Sequence, residues 1–128
     1  HVVPAFINKV ANADKELEIW GTGKAKRDVI YIRDLIEFID CCIKNQENSY
    51  ELFNCGAGDA YPILELARTI MGVQNKELEI HMDETKPDIP TTVILDCAKA
   101  QRLLGWKCKT KLVDGLRETC EWYINNHG

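Results

Sequence analysis

Residues 16–35 have the sequence ELEIWGTGKAKRDVIYIRDL, and the prediction of the fold starts from this stretch. An alternating apolar run ends at Trp20 and predicts a strand, which the tract Gly21-Thr22-Gly23 closes with a turn. The β-branched and aromatic run over residues 29–32 predicts another strand, and Asp34 is expected to cap the helix that follows. Strands that alternate with helices in this way indicate an α/β or α+β domain, and we predict the former.

The same alternation continues on both sides of this stretch. Helices are predicted over residues 3–13, 34–43, 62–72, 96–104 and 113–125, and further strands over residues 50–55 and 78–82. The strand over residues 50–55 is expected to be buried, and Gly72 and Gly105 are expected to end their helices. The helix after Asp34 is expected to bury one face, which consists of Leu35, Ile36, Phe38, Ile39, Cys42 and Ile43.

Length and charge limit the classes of protein to which the chain can belong. Its 128 residues are enough for one domain, and 45% of them are hydrophobic, so the chain can bury a core. The 16 basic and 20 acidic side chains give a formal net charge of −4, whereas a general binder of nucleic acids or anionic membranes carries a basic face. No apolar run approaches the roughly 18 residues of a membrane-spanning helix. We therefore expect no nucleic-acid partner, no membrane partner and a cytoplasmic location.

The six cysteines are expected to be reduced thiols, because several occupy apolar positions where a free thiol packs as a small hydrophobe. No pair has the C-x-x-C spacing of a zinc or redox site, and the three histidines are far apart in the sequence. We therefore predict no metal site, with disulfides or a bound metal as the less favoured alternative. The cysteines are Cys41, Cys42, Cys55, Cys97, Cys108 and Cys120.

Two glycine motifs lack residues that phosphate binding requires. Gly56-Ala57-Gly58 follows a predicted strand, but Tyr61 stands where a dinucleotide-binding loop has its third glycine. Gly23-Lys24 has neither the upstream glycine nor the following Ser or Thr of a P-loop. We interpret the first motif as a tight turn between a strand and a helix.

Catalytic motifs are absent from the sequence as well. None of the four tyrosines is followed by a lysine four positions later, and no G-x-S-x-G tract occurs. We therefore assign no catalytic residue within this chain.

One segment has the composition of a binding site. Residues 20–27 contain an indole, two loop glycines and three cations within an acidic protein. The indole of Trp20 can pack on a planar base, and Arg27 can bind a phosphate through two parallel hydrogen bonds. The alternative is a solvated turn beside an ordinary half-buried tryptophan.

Six short segments occur in an order that resembles a known family. They are H-V-V-P-A-F at residues 1–6, W-G-T-G at 20–23, R-D-V-I-Y-I at 27–32, F-N-C-G at 53–56, K-P-D at 86–88 and L-G-W at 104–106. Together they resemble the C-terminal part of the extended short-chain dehydrogenases/reductases, the NAD-dependent epimerase/dehydratase family, and within it the fucose-synthase branch. The resemblance implies an α/β substrate-binding region with a small mixed sheet and about five helices. The N-terminal Rossmann core would lie outside residues 1–128, which we interpret as one nucleotide-sugar-binding domain from a longer chain.

The resemblance also implies roles for three residues around the first turn. Arg27 occupies the position of a ligand to the nucleotide-sugar diphosphate, which agrees with its composition-based interpretation. Trp20 matches an aromatic residue that contacts the substrate. Lys9 matches a basic substrate ligand on the first helix, with a plain surface lysine as the alternative.

Three further residues receive roles in the same way. Asn54 matches an asparagine at a strand end that approaches the sugar nucleotide, although it is also a common turn former. Lys86 is a candidate substrate ligand, although K-P-D also makes a simple turn. His1 aligns with a residue on the cofactor side of the cleft.

The activity implied by the resemblance belongs to a longer parent enzyme. That enzyme would use NADP or NAD, bound mainly by its N-terminal domain, and would convert GDP-4-keto-6-deoxymannose to GDP-fucose as an epimerase and reductase. The parent is expected to be a homodimer, and residues 1–128 alone are expected to be inactive.

Two alternatives remain open at this point. The residues after K-P-D are Ile89-Pro90 rather than the Gly and Pro-Arg-Lys tract of fucose synthases, so an epimerase or dehydratase acting on UDP-, dTDP- or CDP-sugars is an alternative. A stand-alone binding or scaffolding domain is an alternative of a different class.

Overall fold

Helices and strands alternate along residues 1–127, the part of the chain that a computed structural model describes. The elements are α1 (Val2–Asn12), β1 (Glu16–Trp20), β2 (Lys26–Asp28), α2 (Ile32–Asn45), β3 (Ala60–Pro62), α3 (Ile63–Val73), β4 (Glu79–Asp83), β5 (Thr92–Val93), α4 (Ala98–Leu104) and α5 (Leu112–His127). Five helices and two small sheets confirm the predicted fold class. The short strands β3 and β5 were not predicted.

The first sheet consists of β1 and β4, which run parallel. Leu17 and Ile19 are buried, and the residues between and beside them are exposed. Because successive side chains of a strand point to opposite faces, burial of these two residues places Trp20 on the exposed face. The alternating pattern of β1 therefore determines the exposure of the indole.

The main core lies between this sheet and three helices. Helix α1 contributes a face at helical spacing, and α3 and α5 pack against it and against each other. The buried residues of this core are Phe6, Ile7, Val10, Leu17, Ile19, Ala67, Ile70, Leu78, Leu116 and Cys120.

The second sheet has the strand order β3-β2-β5. Strand β2 runs antiparallel to β3 and parallel to β5, and Arg27 lies opposite Tyr61 and Val93. The strand predicted over residues 29–32 is therefore wrong: the paired residues are Lys26–Asp28, and Ile32 already begins α2. Strand position is decided here by partners distant in sequence rather than by the β-branched run.

Asp34 does not cap α2, which corrects the prediction. Tyr31 precedes the first helical residue, and Asp34 lies within the first turn, buried. Its carboxylate accepts hydrogen bonds from the backbone N–H groups of Lys109 (3.0 Å) and Thr110 (3.2 Å). Asp34 therefore connects α2 to the segment before α5.

Helix α2 buries only part of the face that was predicted to be buried. Leu35, Phe38 and Cys42 are half-buried as expected. The isoleucines at the other predicted positions are exposed, since they lie on the neighbouring side of the helix. We call the following residues the isoleucine stripe: Ile32, Ile36, Ile39 and Ile43, which are 49% to 78% exposed.

The predicted buried strand over residues 50–55 is also wrong. Within residues 1–127 no strand pairs with this segment, and Tyr50 and Leu52 are 78% and 68% exposed. A strand requires a hydrogen-bonded neighbour, and composition alone does not provide one.

Glycine ends one of the two helices for which it was predicted to do so. Gly105 follows α4 with a φ of 67°, the left-handed conformation expected after a helix. Gly72 instead lies inside α3, which continues to Val73 and is followed by Gln74.

A smaller second core forms around Trp106, whose ring lies 5.0 Å from that of Phe38. Five of the six cysteines pack there, and all six are free thiols. Burial raises the pKa of the Cys55 and Cys108 thiols to about 11, so both are protonated at neutral pH. These thiols are packing groups, as predicted. The cysteines of this core are Cys41, Cys42, Cys55, Cys97 and Cys108.

Candidate functional site

Three of the predicted site residues meet at the exposed end of β1. The Lys9 Nζ and Lys86 Nζ atoms lie 5.8 Å and 5.7 Å from the centroid of the Trp20 ring. These separations are typical of cation–π contacts. We call Trp20, Lys9 and Lys86 together the Trp20 platform.

Hydrogen bonds fix the orientation of two side chains of the platform. The Trp20 indole N–H donates to a carboxylate oxygen of Glu18 at 2.7 Å. Lys9 Nζ donates to the Glu18 backbone carbonyl at 3.3 Å. Because Phe6 and Val10 bury the core face of α1, Lys9 projects from the exposed side of that helix. Glu18, which the sequence analysis did not identify, therefore orients both groups.

The third member of the platform comes from the loop after β4. Lys86 Nζ lies 3.8 Å from a carboxylate oxygen of Asp83, a distance typical of a weak, solvated ion pair. Hydrogen bonds from Thr85 lower the pKa of Asp83, which is therefore ionised at neutral pH. The Asp83 carboxylate keeps Lys86 near the indole ring. Because this ion pair is long and solvated, the ammonium group of Lys86 can still attract an anionic ligand.

Arg27 is held by uncharged oxygen atoms. Its Nη1 donates to the carbonyl of Lys26 (2.8 Å), the carbonyl of Thr91 (3.0 Å) and the hydroxyl of Thr91 (3.2 Å). Within residues 1–127 no carboxylate forms an ion pair with this guanidinium. Its positive charge is therefore available to an anionic ligand, and Thr91 was not identified from sequence.

Arg27 is linked to the platform through a shared loop. Thr91 lies five residues after Lys86, so one segment carries both a platform lysine and the anchor of the guanidinium. Within residues 1–127 the cation–π contacts of the Trp20 ring are with Lys9 and Lys86, and none is with Arg27. The Arg27 guanidinium and the Trp20 platform are therefore connected through the loop that carries Lys86 and Thr91.

The Gly56-Ala57-Gly58 turn does not fit a cofactor diphosphate. The Asp28 carboxylate accepts hydrogen bonds from the backbone N–H groups of Ala57 (2.7 Å), Gly58 (3.1 Å) and Leu95 (3.1 Å). A Cβ atom at Gly56 would lie 2.6 Å from an oxygen of the same carboxylate. The amides that a phosphate would need are therefore already used, which agrees with the interpretation as a tight turn.

Two predicted site residues lie apart from the platform. Asn54 Nδ2 donates to the carbonyl of Asp96 at 3.0 Å, beside the second core. His1 is exposed before the first residue of α1, and its carbonyl accepts the N–H of Ala5. Within residues 1–127 no hydrogen bond or cation–π contact joins either of them to the Trp20 platform.

The arrangement provides stacking and positive charge. Lys24 and Lys26 are exposed on the segment between Trp20 and Arg27, and they add to the charge of the platform and the guanidinium. Such a surface suits a ligand with a planar ring and anionic oxygens. Over residues 1–127 no group of three or more His, Cys, Asp or Glu side chains could hold a metal ion. Across the same residues, no helix combines the length and apolar character that crossing a membrane requires.

The chain is similar to enzymes that act on nucleotide sugars. A model of the NAD dependent epimerase/dehydratase family matches residues 1–56. The chain is 35% identical to a putative GDP-L-fucose synthase of Arabidopsis thaliana over 98% of its own length and 39% of the relative's. It therefore spans well under half of the length of that relative.

Two solved structures share the fold. A GDP-6-OMe-4-keto-L-xylo-heptose reductase from C. jejuni has a TM-score of 0.85 and 25% identity, over 98% of this chain and 48% of the other. A UDP-glucose 4-epimerase from Thermotoga maritima, solved with UDP-glucose, has a TM-score of 0.80 and 27% identity, over 100% of this chain and 40% of the other.

Proposed function

We propose that residues 1–128 form the C-terminal, nucleotide-sugar-binding domain of a longer polypeptide similar to enzymes of the NAD-dependent epimerase/dehydratase family. The observation that carries the proposal is the Trp20 platform, in which two ammonium groups lie 5.8 Å and 5.7 Å from the ring centroid of one exposed indole. A nucleoside diphosphate combines a planar base with negatively charged phosphate oxygens. An exposed indole beside positive side chains can bind both parts of such a ligand.

Arg27 is the proposed ligand of the diphosphate. Its guanidinium is held by neutral oxygens of Lys26 and Thr91, so an arriving phosphate would gain a charge-assisted hydrogen bond without displacing a carboxylate. Lys9, Trp20 and Lys86 are proposed to contact the nucleotide sugar. Asn54 as a further substrate ligand and His1 at the cofactor side stay predictions.

The proposal that the domain is part of a longer polypeptide rests on its apolar surface. The isoleucine stripe places four large apolar side chains along one side of α2, and Tyr50 and Leu52 add two more. A surface of this kind is usually covered by protein. The relatives are more than twice as long as this chain. We therefore propose that the rest of the parent polypeptide packs against this apolar surface. The same observation disfavours a stand-alone binding or scaffolding domain.

The parent polypeptide is proposed to be an NAD(P)-dependent epimerase or reductase of nucleotide sugars, similar to GDP-fucose synthases. Because the Asp28 carboxylate occupies the backbone N–H groups of Ala57 and Gly58, the Gly56-Ala57-Gly58 turn does not provide a site for a cofactor diphosphate. NADP or NAD is therefore assigned mainly to the rest of the polypeptide. Residues 1–128 would bind and orient the substrate, and alone they would be inactive. A homodimeric, cytoplasmic parent remains part of the proposal.

A GDP-sugar is the favoured substrate, and a UDP-, dTDP- or CDP-sugar is the alternative. The first is suggested by the relative named as a GDP-L-fucose synthase, and the second by the structure solved with UDP-glucose. The Ile89-Pro90 sequence after K-P-D keeps the alternative open.

The proposal can be tested with the full-length parent protein. Its melting temperature would be measured with GDP-, UDP-, dTDP- and CDP-sugars, and affinity by calorimetry for those that raise it. We expect one nucleotide class to raise the melting temperature by binding the folded state. The free sugars are the matched control, since they lack the base and diphosphate. Failure of all four nucleotide sugars to bind would contradict the proposed function.

A further inference from the structure

We propose that Asp88 is a positioning residue that holds the turn after Trp20 against the loop carrying Lys86, and so sets the geometry of the nucleotide-sugar site. The inference deepens the proposed function and rests on it for its meaning in binding. No role was assigned to Asp88 from the sequence, although it completes the K-P-D segment.

Asp88 forms two hydrogen bonds with a single residue of the turn. Its Oδ2 atom accepts the backbone N–H of Thr22 at 2.8 Å and the Thr22 hydroxyl at 2.5 Å. These hydrogen bonds hold the pKa of Asp88 below its usual range, so the carboxylate remains an acceptor for both donors at neutral pH.

Gly21 permits this close approach. A Cβ atom at Gly21 would lie 2.5 Å from the Cβ of Asp88, and the φ of Gly21 is 69°. Any other residue at this position would push the Asp88 side chain away from the turn. The W-G-T-G tract therefore combines a position without a side chain with two adjacent hydrogen-bond donors.

The candidate ligands lie on both sides of this contact. Trp20 lies two residues before Thr22, and Lys86 lies two residues before Asp88. Thr91, three residues after Asp88, accepts the hydrogen bonds of Arg27 and also receives the N–H of Lys26 at 2.8 Å. One carboxylate thus connects the segment of the indole to the segment that carries a lysine and anchors the guanidinium. Loss of the contact would separate groups that a ligand must meet simultaneously.

The test uses variants of the full-length protein and measures the affinity for GDP and for UDP by calorimetry. Asp88→Ala removes both acceptor bonds and Thr22→Val removes the hydroxyl donor, whereas Thr22→Ser keeps both donors. Asp34→Asn is the control, because Asp34 also accepts two backbone N–H groups but lies away from the platform. We expect Asp88→Ala and Thr22→Val to weaken binding on the order of tenfold, as for loss of a hydrogen bond to a charged group. Thr22→Ser and Asp34→Asn should bind like the wild type.

A second pair of variants separates steric displacement from backbone strain. Gly21→Ala and Gly105→Ala introduce a Cβ at φ values of 69° and 67°, but only the former meets Asp88, since nothing lies within 4 Å of a Cβ at Gly105. Gly21→Ala should weaken nucleotide binding, and Gly105→Ala should leave it unchanged. Equal effects of the two variants on binding would overturn the inference.

The outcomes distinguish this inference from the proposed function. If the wild type binds a nucleotide and Asp88→Ala binds it with unchanged affinity, the positioning role is overturned and the proposed function stays intact. If the wild type binds none of the GDP-, UDP-, dTDP- and CDP-sugars, the proposed function fails, and hydrogen exchange then tests the role of Asp88. Faster exchange of the Thr22 amide and of residues 86–91 in Asp88→Ala would support the positioning role, and unchanged exchange would overturn it.

Discussion

Trp20 and Asp83 are register partners in the parallel pair of β1 and β4, and the N–H of the next residue, Gly21, donates to the Asp83 carbonyl at 2.9 Å. Because both strands end at this level, the chain that leaves β4 passes beside the indole. Lys86 reaches the ring three residues later. The site is thus a consequence of strand register, and α1 adds Lys9 to it.

Replacement of Arg27 tests the proposed diphosphate ligand. Arg27→Ala should weaken nucleotide-sugar binding by roughly 1.5–3 kcal/mol, the usual contribution of a hydrogen bond to a charged group. Arg27→Lys should recover only part of this, because an ammonium cannot form two parallel hydrogen bonds to a phosphate. Calorimetry on the full-length protein measures both. Arg102→Ala, which removes an exposed arginine from α4, should leave the affinity unchanged. If Arg27→Ala binds the nucleotide sugar with wild-type affinity, Arg27 is not a ligand of the diphosphate.

Replacement of Trp20 tests the stacking surface, and the chain provides a matched control. Trp20 and Trp122 are similarly exposed, at 57% and 60%, but Trp122 lies on α5. Trp20→Ala should weaken binding of a nucleotide sugar by about 1–3 kcal/mol, the range for loss of base–aromatic stacking. Trp20→Phe should retain much of the affinity, and Trp122→Ala all of it. If the two alanine variants weaken binding equally, the indole of Trp20 has no specific role.

The lowered pKa of Asp34 predicts that the stability of the protein depends on pH. Burial alone would raise the pKa of Asp34, but hydrogen bonds from Thr110, Lys109 and Cys108 outweigh it and hold the folded-state pKa below the ordinary value of 3.8. The unfolded chain therefore binds a proton more readily than the folded chain. The stabilisation is present above the ordinary pKa and is lost as the pH falls through the folded-state value.

The measurement is the free energy of unfolding of the full-length protein between neutral pH and pH 3 or below. Asp34→Asn should lower that free energy by roughly 1–3 kcal/mol at neutral pH, because buried N–H groups lose an ionised acceptor. The difference between variant and wild type should shrink on acidification. A difference that is constant with pH would contradict the assignment of this titration to Asp34.

The elements that could be predicted from sequence are those whose pattern is local. Alternation over β1 and β4 and the helical spacing in α1 gave correct elements, because one buried face imposes the period in each case. Pro62 correctly marks the start of α3, where a missing N–H costs nothing.

The features that could not be predicted depend on contacts between distant segments. The strand near Arg27 lies at Lys26–Asp28 because its partners do, and no property of residues 29–32 reveals this. Asp34 has the residue type of a helix cap but finds the amides of Lys109 and Thr110 instead. In the same way, Arg27 and Trp20 could be selected by type, whereas Asp88 becomes visible only through its contact with Thr22.

Helix α2 shows the limit of periodicity most clearly. Its apolar residues occupy two adjacent sides, and the pattern does not indicate which side faces which neighbour. Leu35 and Phe38 pack inside the chain, while the isoleucine stripe is exposed. Two sides with apolar residues are expected for a helix that lies between two bodies of protein.

The isoleucine stripe therefore provides a test of the proposal that residues 1–128 are part of a longer polypeptide. Ile36→Lys combined with Ile39→Lys should destabilise the full-length protein by about 1.5–3 kcal/mol or more for each side chain that is buried there. The reason is that apolar burial is lost and a charge is forced into the contact.

The double lysine variant should not destabilise residues 1–128 alone, and it should reduce any self-association of that domain measured by sedimentation. Glu121→Lys, at an exposed position of α5 that forms no ion pair within residues 1–127, changes the net charge by the same amount and is the control for added charge. Leu66→Ala, in a position with no exposure, should destabilise both proteins by about 2–5 kcal/mol. If the double lysine variant of the full-length protein unfolds at the wild-type midpoint, the stripe is exposed there too, and the rest of the polypeptide does not cover it.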